Sequence, residues 1–220
     1  MLHRGVQAIV LLPRVPLLAS ENASLRSELT ARQLEVAQLR ESLRKFDRAG
    51  ELAAAWQVPP GRVASVIGRT TVATQHLVLL DAGSRQGIMP QTVVVDAFGV
   101  VGRVTEAHPQ TSLAMLITDP DSRIACLIER SREIGLLVGT GASRCRILYL
   151  NLDADVQVDD RVVTAGLGGG FPKGLALGRI VRIDKQERHA QSIAWVEPAA
   201  QLSRLEQVLC VPESPPSSSP

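Results

Sequence analysis

The chain has 220 residues, 45% of them hydrophobic, with 24 basic and 22 acidic side chains and a formal net charge of +2. That length and apolar content suffice for one large or two small packed cores. Balanced charge without a concentrated basic block, and aromatics at only 3%, argue against a nucleic-acid-binding surface.

Residues 1–17 form a short apolar N-terminus. Its uninterrupted run, 8–12, is far below the roughly 20 residues that cross a bilayer, and Pro13, Arg14 and Pro16 break any longer helix. His3 and Arg4 precede the run loosely in the manner of a signal peptide, with Ala19-Ser20 as a poor cleavage context. The segment reads as a remnant or variant of a membrane anchor. A chain start placed downstream of such an anchor has the same appearance.

From 18 to 50 the composition turns polar and leucine recurs with helical spacing. With Leu18 at heptad position d, Leu25, Leu39 and Phe46 also fall at d, and Leu29, Val36 and Leu43 fall at a. Asn22 takes one a position and Arg32 one d position, so the seam spans about four heptads with two polar exceptions. A helix packed on its own sheet needs a wider apolar stripe than this. The narrow seam therefore predicts self-association through a coiled coil, at least a homodimer. Gly50 is a plausible stop. Residues 51–61 form a linker that ends in the break Val58-Pro-Pro-Gly61.

Beyond Gly61 the apolar period shifts toward two. Candidate strands are 62–67, 76–81, 92–96, 100–106, 112–118, 123–129, 135–138, 146–150, 161–165, 176–184, 192–196 and 207–211. Short strands with turn residues between them predict barrels or sandwiches. No convincing helix of a dozen residues intervenes, which argues against a parallel βαβ sheet. An internal echo divides the region into two β units. Thr92-Val-Val-Val95 precedes Gly99-Val-Val-Gly-Arg-Val104, and Arg161-Val-Val-Thr164 precedes Gly174-Leu-Ala-Leu-Gly-Arg-Ile180. Equivalent barrels should place Gly102 and Gly178 at equivalent strand bends.

Gly166-Leu-Gly-Gly-Gly170, followed by Phe171-Pro172, reads as a glycine-rich turn between two strands. No Lys-Ser pair and no helix pattern follow it, as a phosphate-cradling loop requires. The three cysteines, Cys126, Cys145 and Cys210, form no CxxC pair. They read as small core residues; any disulfide leaves one thiol over within a monomer. Residues 212–220 are rich in Pro and Ser and are expected to be disordered.

Several blocks here resemble the conserved motifs of the bacterial rod shape-determining MreC family. They are Leu79-Leu-Asp-Ala-Gly-Ser-Arg-Gln-Gly-Ile-Met-Pro90, Gly99-Val-Val-Gly-Arg-Val-Thr-Glu106, Leu116-Ile-Thr-Asp-Pro-Asp-Ser-Arg-Ile124, Gly135-Leu-Leu-Val-Gly-Thr-Gly141 and the run from Asp153 to Arg179. They occur in the family's order and cover roughly residues 62 to 211. Asp159 departs from the pattern by standing where the family has glycine, which puts one turn in question. The family's N-terminal membrane helix is not evident.

The resemblance implies a mainly β fold: a coiled-coil helix, then two small barrels of protease type without the triad, over 62–211. It implies a non-catalytic scaffold of the cell-wall elongation machinery, facing the periplasm from the inner membrane. It implies MreB, MreD and a penicillin-binding transpeptidase as partners. Leu25, Leu29, Val36, Leu39, Leu43 and Phe46 are the candidate dimerisation residues. Gly166, Leu167, Gly168, Gly169, Gly170 and Phe171 are the candidate loop for partner or self-assembly contacts, or else a turn serving only the fold.

The residues offer little for catalysis. No serine lies in a GxSxG elbow, no HExxH is present, and no cofactor or metal motif is recognisable. The cluster Asp153, Asp155, Asp159, Asp160 lacks the glycine and closing glutamate of an EF-hand and reads as a solvated turn. The second reading is a β-barrel hydrolase with a helical N-terminal segment. It requires a serine or cysteine within hydrogen-bond reach of His76. A third is a soluble adaptor with no membrane role.

Overall fold

The computed structural model describes residues 25–37, 54, 61–72, 74–168, 170–186 and 191–211. The predicted features at 1–17, 51–53, 55–60 and 212–220, the Gly50 stop, and Leu39, Leu43, Phe46 and Gly169 lie outside these residues. Residues 25–37 are helical throughout, here called α1. They belong to one compact unit, 1–45, and the β region to another, 46–220.

Twelve strands follow: β1 Arg62–Val72, β2 Gln75–Leu80, β3 Val93–Val95, β4 Val100–Ala107, β5 Ser112–Leu116, β6 Arg123–Ile128, β7 Ile134–Gly139, β8 Cys145–Asn151, β9 Arg161–Thr164, β10 Ala176–Gln186, β11 Gln191–Pro198 and β12 Gln207–Val211. They close into two six-stranded barrels. Barrel 1 runs β1-β12-β3-β4-β5-β2 and barrel 2 runs β10-β11-β8-β7-β6-β9, with every pairing antiparallel.

The two barrels share one wiring scheme. Matching β7, β8, β9, β10 and β11 to β1, β2, β3, β4 and β5, and β6 to β12, reproduces every pairing of one barrel in the other. The difference lies in chain order. Barrel 2 is continuous, whereas barrel 1 takes its equivalent of β6 from the chain's last strand. Barrel 2 is thus inserted between β5 and β12.

The echo in the sequence marks this repeat down to the register. Gly102 opposes Val94 and Leu116, and Gly178 opposes Val162 and Pro198, on matching strands. Two residues later each strand carries a register shift, between Val104 and Glu106 and between Ile180 and Arg182. A Cβ on Gly102 would lie 1.8 Å from the Met115 carbonyl oxygen, and one on Gly178 would lie 2.0 Å from that of Glu197. Glycine is needed at both sites because the facing strand approaches so closely.

The unbroken apolar runs at β3 and β12 also find their cause. Val94, Val208 and Cys210 point into barrel 1, while Val93, Val95, Leu209 and Val211 join a cluster with Ile124, Ile147 and Leu177 of barrel 2. These strands are buried on both faces, so alternation gives way to continuous hydrophobicity. Gly99 brings the β3–β4 turn against the Ala176 carbonyl. Asp96 pins that turn by accepting hydrogen bonds from Phe98 and Gly99 N–H at 2.7 and 2.8 Å, and it also accepts one from Gln201 N–H at 3.1 Å.

At the family departure the chain makes a left-handed turn. Asp159 holds φ at 71° and donates its N–H to the Ile180 carbonyl at 2.8 Å. Aspartate visits this left-handed region more readily than most residues, at a cost that glycine avoids. Asp159→Gly is expected to raise stability by about 1 kcal/mol, read as a higher urea midpoint with unchanged m-value.

Candidate partner-binding surfaces

The helix presents its expected seam openly. Leu25, Leu29 and Val36 are 58%, 59% and 45% exposed and share one face with Arg32. Leu34, outside the seam, is exposed as well. Arg32 pairs with Glu35 at 3.0 Å, one helical turn away.

The glycine-rich loop joins β9 to β10. Gly166, Gly168, Gly170 and Gly174 all have positive φ, which accounts for the glycines. Thr164 staples its base: the hydroxyl donates to the Pro172 carbonyl at 2.5 Å and accepts from Leu175 N–H at 2.9 Å. The candidate residues divide here. Phe171 packs against the core cluster and serves the fold, while Leu167 is exposed.

One apolar surface went unread in the sequence. On barrel 2, Gly135, Ile147 and Leu150 face inward, so Leu136 and Leu148, paired across β7 and β8, face outward. Between Leu150 and Ile147 the register with β11 shifts, setting Leu148 and Tyr149 against Ile193. Tyr149 is consequently held at φ 63°, which costs an aromatic residue about 1–2 kcal/mol. It is 64% exposed, and Ile134 nearby on β7 is 53% exposed. Strained backbone of this kind clusters at active sites, ligand clamps and switch regions. The signal in the sequence was Ile147-Leu-Tyr-Leu150, four apolar residues that break strand alternation.

A charged rim borders this face. Trp195 on β11 opposes Arg146 on one side and Arg182 on the other. The Arg182 guanidinium stands 4.8 Å from the ring centroid. Trp195 Nε1 donates to Asp184 at 2.8 Å, and Arg182 donates to the same carboxylate at 2.6 Å. These two bonds, the indole's first, hold the Asp184 carboxyl below its usual range.

Both barrels close, so the described strands present no row of free edges of the kind that small sheets offer to partners. One sequence expectation needs correction: the acidic cluster is not simply a solvated turn. Arg130 grips Asp160 through Nε at 2.7 Å and Nη2 at 3.0 Å, and Asp155 through Nη1 at 2.5 Å. Asp160 is buried. Hydrogen bonds from Arg130 lower both carboxyl pKa values from the ordinary 3.8. Their stabilising contribution is complete above that value and is lost as the pH falls through the depressed values. Arg130→Met is therefore expected to lower the urea midpoint at pH 7, with the gap to the parent chain closing in acid.

His76 has the environment of a structural residue. Its backbone N–H donates to Asp119 Oδ2 at 2.6 Å, and its Nδ1 lies 2.8 Å from the Thr118 hydroxyl. The acid thus holds the main chain rather than orienting the ring, and the hydroxyl at the ring is threonine, not serine. Cys126, Cys145 and Cys210 are buried free thiols pushed up to about 12, chiefly by desolvation. No group of metal-ligating side chains occurs among the described residues. No described helix is long and apolar enough to cross a membrane.

Two closed barrels of common wiring, joined by a shared core and bearing an exposed apolar face, define a tandem β-barrel module. The comparisons name the family. The model of the rod shape-determining protein MreC barrel core matches residues 66–212, and the chain belongs to that family. It is 38% identical over 104 residues to the cell shape-determining protein MreC of Caulobacter vibrioides, covering 47% of this chain and 30% of that one. The crystal structure of MreC from Pseudomonas aeruginosa superposes with a TM-score of 0.66 at 28% identity, covering 68% of this chain and 97% of that one. A Helicobacter pylori structure, a complex between penicillin-binding protein PBP2 and MreC, shares the fold with a TM-score of 0.53 at 17% identity, covering 68% of this chain and 96% of that one. The chain spans 30% to 52% of the length of the first curated relatives it matches.

Proposed function

We propose that this chain is a non-catalytic scaffold of the bacterial cell-wall elongation machinery. It self-associates through the α1 seam and binds partner proteins through its barrels, on the periplasmic face of the inner membrane. The observation that carries the reading is the outward face of barrel 2, where Tyr149 accepts a strained backbone and stands in solvent, and where Ile134 of β7 is exposed as well. A surface of this kind fits a protein partner with an apolar patch and an acidic group placed for Arg146, since the Arg182 charge is already paired with Asp184. The Helicobacter pylori relative's complex with PBP2 makes a penicillin-binding transpeptidase the first candidate. MreB and MreD are the further candidates, by resemblance to the family. The loop at Gly166–Phe171 contributes, on this reading, through Leu167 alone. The role without turnover is supported by the placement of His76, whose ring meets threonine.

The test has two arms. Leu29→Asp with Val36→Asp is expected to give a monomer by sedimentation while the circular dichroism of the barrels is unchanged; unchanged mass overturns the coiled coil. Tyr149→Ser is expected to weaken binding of the organism's own elongation transpeptidase at least tenfold, about 1.4 kcal/mol. Equal affinity by calorimetry removes this face from the partner surface.

A further inference from the structure

A half-open groove of about 590 Å³ runs along the junction of the two barrels. It shares no residue with the outward face of barrel 2. Its floor is apolar, built by Leu116, Pro198, Ala200 and Leu202. Its walls carry more donors than acceptors. Arg69 comes from β1, His76 from β2, Ser143 from the β7–β8 turn and Arg204 from the segment between β11 and β12, while Glu197 is the one carboxylate among the described lining residues.

Much of this lining is held in place by the fold. Arg69 Nη1 donates to the Ser203 carbonyl at 2.8 Å, which fixes its guanidinium over the segment that carries Arg204. His76 is 9% exposed and anchored at its main chain and at Nδ1, so Nε2 is the ring nitrogen left for a ligand. Gln201 N–H is tied to Asp96, which fixes the start of the Gln201–Arg204 wall. No described carboxylate lies within ion-pair distance of Arg69 or Arg204. Two guanidinium groups against one carboxylate leave the groove net positive over an apolar floor. That pairing suits a carboxylate attached to apolar groups. A bare inorganic anion gains nothing from the floor.

We propose that the groove binds the carboxylate of an apolar, acidic peptide segment on a partner protein. The carboxylate lies between Arg204, Arg69 and His76, and the adjoining apolar side chain rests on Leu116 and Leu202. The barrel junction thereby becomes a second recognition surface, built from both barrels at once.

The test is a titration of the isotope-labelled chain, followed by amide chemical shifts, with three probes: acetyl-Leu-Ile-Asp, acetyl-Leu-Ile-Asn-amide and inorganic phosphate. Saturable shifts centred on His76, Thr118, Ser143 and Arg204 are expected with the acidic peptide, at a Kd of order 1 mM. The neutral peptide is expected to bind at least tenfold more weakly, as is the acidic peptide to Arg69→Gln with Arg204→Gln. Both arginines are exposed, so that chain keeps its dispersed spectrum. Lys185→Gln, exposed on β10, should bind as the parent does. Equal binding of the neutral peptide, equal binding of phosphate, or no saturable shift overturns the proposal. Any of these leaves the outward-face reading untouched.

Discussion

A chain ending at Glu206 is expected to keep barrel 2 and lose barrel 1. Without β12, β1 and β3 have no partner between them, and the backbone pairs from Arg62↔Cys210 to Val93↔Val211 disappear. Val208, Leu209, Cys210 and Val211 are all essentially buried. Four such side chains at about 1.5–3 kcal/mol each amount to roughly 6–12 kcal/mol, comparable with the whole stability of a domain. Barrel 2 closes through β6 to β11 alone and retains its ladder. An amide spectrum of the shortened chain should show dispersed signals for 123–198 and collapsed signals for 62–116. Dispersed signals from β1 to β5 would show that five strands suffice.

Gly102→Ala and Gly178→Ala should each cost about 3 kcal/mol, the upper range for overpacking. The added methyl meets backbone rather than a movable side chain: Met115 oxygen at 1.8 Å and Glu197 oxygen at 2.0 Å. Relief requires parting β4 from β5, or β10 from β11. Gly87→Ala is the matched control. Its φ is 82°, but a Cβ there meets nothing within 4 Å, so only the left-handed backbone penalty of about 1–2 kcal/mol applies. Urea denaturation should place both Gly102→Ala and Gly178→Ala below the Gly87→Ala control. Gly102→Ala falling at or above the control would mean the strands separate without penalty.

Much of the β region was legible because each strand is an apolar or β-branched run stopped by Gly, Pro or Asp. All twelve expected runs became strands. Boundaries failed where pairing overrode local signals. β1 was expected to stop before Gly68 but continues to Val72, because the register with β2 shifts between Val66 and Gly68 and the ladder resumes beyond it. The repeat was legible in Gly102 and Gly178, since only glycine tolerates such close strands. The insertion was not. Nothing local to 207–211 announces that it lies between β1 and β3. Arg130 was missed as the partner of Asp155 for a similar reason, being 25 residues away in sequence. For the surfaces, the heptad showed which helical positions to suspect. The strain at Tyr149 depends on pairing with β11, which no window around β8 contains.

The borrowed strand also fixes a schedule for a chain that emerges N-terminus first, whether from the ribosome or across a membrane. Synthesis supplies roughly 5–20 residues/s, and domains are usually completed in the order in which they emerge. Here the upstream barrel cannot seal until β12 has emerged, whereas the barrel encoded within it has all its strands by Pro198. The interior domain therefore matures before the one that brackets it. Meanwhile β1 and β3 wait as open templates, so nascent molecules are most prone to mispairing during those seconds.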